Sequence, residues 1–199
     1  SFKKLPDVLS DYRKDGYIIF FIDHAHEETG LVNSVPSEER DLVLVIDTSS
    51  HEPKTDQIDE LRDTILKTKL GVLPGLIVGI GGGSTMDISK AVSIMLTNEG
   101  SSQLYQGWDL VKNSPIPKMG IPTLSGSGSE ASRTAVLSSI DKKYGINSDQ
   151  SMFDIVMMDP DLLEHVTGSQ RFFTGMDCYI HDVEASEGSF INSFGMAYA

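Results

Sequence analysis

The sequence of 199 residues contains one cysteine, Cys178, and one tryptophan, Trp108. A single cysteine excludes an internal disulfide and fits a reducing compartment. Basic residues are also scarce: 16 Lys and Arg stand against 29 Asp and Glu, a formal net charge of −13. So acidic a surface disfavours nucleic acid and anionic membranes as partners, although a pocket can still carry local donors for a small anion. No apolar run approaches the roughly 20 residues that a membrane helix needs. No secretory leader is visible, so a cytoplasmic location is expected. The chain does not begin with Met, and its last residues, SFINSFGMAYA, read as a helix without a cap or polar tail. Both ends therefore read as cuts in a longer protein.

What is present suits a globular core: 39% hydrophobic and 23% charged residues. That is enough for one large domain, or for a domain and part of another. The first residues, with Phe2, Leu5, Val8, Leu9 and Tyr12 at helical spacing, predict an amphipathic helix. YIIFFID (17–23), LVLVID (42–47) and LIVGI (76–80) are short continuous apolar runs, as buried parallel strands are. Between the second and third, Ile58, Leu61, Ile65 and Leu66 form one helix face, with Thr55 placed to cap it. A helix from Ser84 to about Leu96 follows the third, with Ile88, Ala91, Val92 and Met95 inward. A loop is expected over 98–117, a strand at 118–122, a hairpin over 134–148, a strand in 153–163 that Asp159-Pro160 stops, and helix beyond 169. The fold class is therefore α/β with a parallel sheet of the dinucleotide-binding kind. The expected division is a cofactor-binding domain over 1–160 and the start of a helical, metal-binding domain over 161–199.

Two turns carry donors. In GIGGGS the glycines fall as Gly79-x-Gly81-x-x-Ser84, which is neither the common dinucleotide fingerprint nor a P-loop. A helix start still offers free N–H groups and a positive dipole end, and Gly82 and Gly83 lack a Cβ that would hold an anion off. Ser84 adds a hydroxyl. The same residues also spell a capping box, Ser84 with Asp87, and a plain helix start would satisfy it. Asp23 ends a strand, where an acid can bind ribose hydroxyls or simply shape a turn. The second turn, PTLSGSGSE (122–130), offers Thr123, Ser127 and Ser129, and equally reads as a polar surface loop. In TGMDCYIHDVEA (174–185), Asp177 and His181 are four residues apart, so a helix would aim both at one divalent metal. Thr174 with Asp177 also spells a capping box, and His181 can be a hydrogen-bonded core histidine. Two ligands are too few for a metal site, so any others would lie outside this chain.

Taken in order, GIGGGSTMDISKA, GIPTLSGSGSEAS, DPDL and TGMDCYIHDVEA resemble the iron-containing (group III) alcohol dehydrogenases, which share a fold with dehydroquinate synthase. The resemblance implies that Gly82, Gly83, Ser84 and Asp87 belong to the loop that seats the pyrophosphate of NAD(P). Asp23 would meet the adenosine ribose and favour NAD. Thr123, Ser127, Ser129 and Lys143 would contact the cofactor, and Leu162 would line the nicotinamide side. Asp177 and His181 would be the first two ligands of an iron or zinc ion, the remaining ligands coming from later helices. No general acid or base is assigned. LYQGWDLVKN (104–113), EASRTAVL (130–137) and GMDCYIH resemble a narrower branch, the 3-deoxy-manno-octulosonate (Kdo) 8-oxidases, and imply a sugar-acid substrate oxidised at its C8 hydroxyl. The expected activity is thus oxidation of a primary alcohol, or reduction of the aldehyde, with a small alcohol or sugar acid as partner and a homodimer as the candidate assembly. A dehydroquinate synthase-like lyase and a fragment competent only to bind nucleotide are the alternatives.

Overall fold

The computed structural model describes residues 1–14, 16–48 and 52–187. His51 and the helix read at the C-terminal end lie outside them. Eight strands and five α-helices are seen among the described residues: α1 (Leu5–Tyr12), β1 (Ile18–Asp23), α2 (Leu31–Ser34), β2 (Leu42–Ile46), α3 (Thr55–Thr68), β3 (Leu76–Gly81), α4 (Gly83–Met95), β4 (Gly107–Trp108), β5 (Lys118–Pro122), β6 (Thr134–Ser138), β7 (Lys143–Asn147), β8 (Ile155–Val156) and α5 (Gly168–Glu187). Five strands form a parallel sheet in the order β2-β1-β3-β5-β8, and β4, β7 and β6 form a smaller one.

The sheet has a core on each face. Residues at odd positions in β1, Ile19 and Phe21, join Ile77 of β3, α3, α4 and the hairpin β6–β7. Those at even positions, Ile18, Phe20 and Ile22, join Val78 and Ile80, Met119 and Ile121 of β5, and Leu5 and Leu9 of α1. This is why β1 reads as an unbroken apolar run: a strand buried on both faces has no polar side to alternate with. β2 reads the same way but behaves differently. It is the sheet edge, and Val43 and Val45 remain 38% exposed.

α4 lies between the two sheets, touching β3 and β5 on one side and β6 on the other. Ten of its thirteen residues are buried, including Ser89, Lys90 and Ser93. The expected inward face is right, but the helix has no solvent face beyond Asp87.

Three local expectations are corrected. Lys54, not Thr55, precedes α3, and Gln57 Oε1 accepts the Lys54 N–H. The stretch 98–117 holds a 3-10 turn (Ser102–Tyr105) and β4; buried Asn98 ties it, accepting the N–H groups of Lys112 and Asn113. The strand read over 153–163 pairs only at Ile155 and Val156. Beyond it, Asp159 caps a 3-10 turn (Pro160–Leu163) by accepting the Asp161 N–H. α5 buries none of its residues. No helix among the described residues is long and apolar enough to cross a membrane.

Candidate functional site

β1, β3 and β5 end together at the carboxyl edge of the sheet, since Ile22 pairs with Ile80 and Gly81 with Pro122. In such folds ligands collect at this edge. A cavity of about 670 Å³ opens there. Its walls come from five places: the end of β1, Thr48 beyond β2, the glycine loop, the turn after β5, and the segment running from Leu162 into α5.

Asp23 closes β1. Its Oδ1 accepts the Ala25 N–H (3.0 Å), and its Oδ2 accepts the hydroxyls of Thr48 (2.5 Å) and Thr85 (3.3 Å). The carboxylate is therefore held in place at the cavity wall and keeps acceptor capacity for a ligand hydroxyl. His26 stands beside it, its Nε2 2.8 Å from the Thr123 hydroxyl. Burial lowers the His26 pKa, and His165 across the cavity lowers it further, while the Asp23 charge opposes both.

In the glycine loop, Gly82 is the N-cap of α4 and has no side chain to cap with. The first intrahelical bond runs from Met86 N–H to Gly82 C=O (3.1 Å), so the N–H groups of 83–85 precede the ladder. This overturns the capping box read from Ser84 and Asp87. Gly83 enters the helix, Ser84 becomes its second residue, and Asp87 turns to the Ser129 hydroxyl (2.7 Å). The glycines provide room: a Cβ on Gly83 would meet Ser127 Oγ at 2.8 Å. The two donor-rich turns thus face each other at close range. Burial raises the Asp87 pKa to about 6, against the lowering effects of the Ser129 hydroxyl and the charges of Lys90 and Lys143.

The cavity brings together Asp23, Gly82, Gly83, Ser84 and Asp87 with Thr123, Ser127, Leu162 and Asp177. Three expected residues do not line it. Ser129 is buried behind Asp87. Lys143 lies on the hairpin, paired with Glu52. His181 lies four residues beyond Asp177 on α5, with Nδ1 3.4 Å from the Gly126 carbonyl. Both alternative readings of that helix fail: Thr174 and Asp177 are inside α5 rather than at its cap, and His181 is exposed.

The donor set suits a divalent metal as far as it goes. A carboxylate and an imidazole share one helix face, and a carbonyl accepting from Nδ1–H would leave Nε2 free to ligate. No group of three potential ligands occurs among the described residues. Sequence reasoning missed His26 and Lys90. Lys90 reads as an ordinary helix lysine and is fully buried.

Parallel strands ending at a glycine turn and a helix start define a Rossmann-like α/β unit. The chain belongs to the iron-containing alcohol dehydrogenase family, whose model matches residues 1–160. It is 35% identical over 136 residues to the sulfoacetaldehyde reductase of Bilophila wadsworthia, covering 67% of this chain and 34% of that protein. It is 26% identical over 188 residues to an alcohol dehydrogenase of Thermococcus barophilus, covering 90% and 44%. Among solved structures, a 1,3-propanediol oxidoreductase superposes with a TM-score of 0.83 at 23% identity, over 98% of this chain and 51% of that one. The sulfoacetaldehyde reductase of Bifidobacterium kashiwanohense in complex with NAD+ gives 0.79 at 24% identity, over 92% and 49%. The chain thus spans about a third to a half of the length of these relatives.

Proposed function

We propose that this chain is the cofactor-binding part of a metal-dependent oxidoreductase that interconverts a primary alcohol and its aldehyde, using a nicotinamide dinucleotide. One observation carries the reading: the helix-start N–H groups, Asp23, the hydroxyls of the second turn, Leu162 and Asp177 line one cavity at the carboxyl edge of the sheet. In this reading the α4 N-terminus and Ser84 take the pyrophosphate, whose charge suits the positive helix end. Asp23 accepts from the adenosine ribose; a 2′-phosphate there would meet its carboxylate, so NAD is favoured over NADP. Leu162 gives the nicotinamide an apolar wall. Asp177 and His181 hold iron or zinc together with donors from outside the described residues, and the domain division falls near residue 160. The metal would supply Lewis acidity at the alcohol oxygen, and the nicotinamide would accept the hydride.

The finer part of the proposal is a sugar-acid substrate, the C8 hydroxyl of Kdo. Two of the three segments that support it meet outside the cavity, where Arg133 pairs with Asp109 and lies 5.9 Å from the Trp108 ring. They support a relationship rather than direct substrate contact. A screen of the full-length protein with NAD, added iron or zinc, Kdo and simple diols tests the substrate. Asp177→Ala tests the site: bound metal and turnover are lost while NAD affinity, read by calorimetry, stays within about threefold, a change under 1 kcal/mol. Retained metal and turnover would overturn the assignment.

A further inference from the structure

Lys90 sits on α4 one turn beyond Asp87 and is fully buried. Its Nζ is 2.5 Å from the Ser129 carbonyl, 3.0 Å from that of Ser132 and 2.8 Å from that of Thr134. The hydroxyls of Ser129 and Ser132 lie at 3.2 and 3.1 Å. An ammonium has three donors, and three carbonyls converge on it. All of these acceptors belong to residues 129–134, the stretch that leads from the second donor-rich turn into β6. Asp87, on the same helix, holds the Ser129 hydroxyl.

Packing alone does not call for this arrangement. Burying an ammonium is costly unless it is fully hydrogen-bonded, and an apolar side chain of similar length would fill the space without that cost. What an apolar side chain cannot do is draw three carbonyls to one point. The stretch drawn in begins two residues after Ser127, which faces Gly83 across the cavity.

We propose that Lys90 is a positioning residue whose ammonium fixes the second turn against α4 and so sets the width of the nucleotide seat. The inference rests on the nucleotide reading given above. Besides these carbonyls and hydroxyls, four groups face Lys90: Asp87 on α4, Glu130 in the turn, Lys118 on β5, and the Phe153 ring at 5.5 Å. Burial brings the Lys90 pKa down to about 8, with Asp87 and Glu130 resisting and Lys118 adding to the fall. Above that pH a neutral amine has one donor fewer, and the clamp loosens.

The test is NAD affinity of the full chain by calorimetry, from pH 7 to 9.5, for the wild type and Lys90→Met. In the wild type the affinity falls about tenfold as pH passes 8, an effect of the size that one lost charged hydrogen bond has on binding. Lys90→Met binds about tenfold more weakly at pH 7 and shows no further fall. A Lys90→Met affinity within twofold of the wild type, or the same fall with pH in both, overturns the inference. If Lys90→Met does not fold, the wild-type profile decides, and a flat profile overturns the inference. Absence of binding by the wild type at pH 7 overturns the nucleotide reading itself, and the inference with it.

Discussion

Asp87 shows how a single side chain at this site couples to pH. Its folded pKa, about 6, stands above the usual carboxylate range, because burial penalises the charge more than the Ser129 hydroxyl and Lys90 relieve it. A raised carboxyl pKa contributes stability that is fully present below the unfolded value and is lost as pH rises through the folded one. The wild type should therefore lose on the order of 2–3 kcal/mol between pH 4 and 6 that Asp87→Asn does not lose. Denaturant melts of both proteins at pH 4, 5 and 6 check this; parallel profiles would show that Asp87 ionises freely in the fold. Residues differ in how plainly the sequence announces them. Asp23, Gly82, Gly83 and Thr123 stand in motifs whose residue types point to their use. His26 and Lys90 do not, because their roles depend on partners 97 and 39 or more residues away. A lysine at position 90 of an apolar helix reads as the solvent side until a second sheet is known to cover it.

At the scale of elements, continuous apolar runs located β1 and β3 closely but could not say how many faces each buries. β2 carries the same pattern as β1, yet it lies at the edge with Val43 and Val45 turned outward. The strand expected over 153–163 shrinks to two residues, since at the sheet edge only Ile155 and Val156 reach β5. The placing of α5 was not readable at all, because it depends on one close approach. Gly126, at φ +140°, lies against the Thr174 backbone, and its carbonyl faces His181. A side chain there would be strained by its φ and would collide with the helix carrying Asp177. Gly126→Ala is expected to cost about 1–3 kcal/mol and to displace α5 from the turn. Thermal unfolding and protease cleavage within 168–187 would read this; unchanged cleavage would mean that α5 does not depend on the contact.

For the whole molecule, the balance of charge is the dominant long-range fact. With a formal charge of −13, the protein repels the anionic cofactor that its cavity is proposed to take. Screening should therefore help encounter rather than hinder it. The NAD association rate, followed by stopped-flow fluorescence, should rise by roughly twofold or more between 20 and 200 mM salt, as the Debye length shortens to below about 10 Å. A falling rate would show that local donors outweigh the global field. The overall architecture was largely legible, since alternating strands and helices leave few arrangements for a parallel sheet. The small sheet was only half legible: its hairpin has a local turn, but β4 pairs with β7 across nearly forty residues and contributes just Gly107 and Trp108.

The enclosure of α4 between two sheets bears on how such a chain can diversify. An element that touches neighbours all around tolerates little substitution, for every change of volume meets a packed wall. The turns at the strand ends face the cavity instead, and they can vary in length and chemistry without disturbing that wall. New ligand preferences in this lineage would then arise by exchanging rims around an unchanging axle.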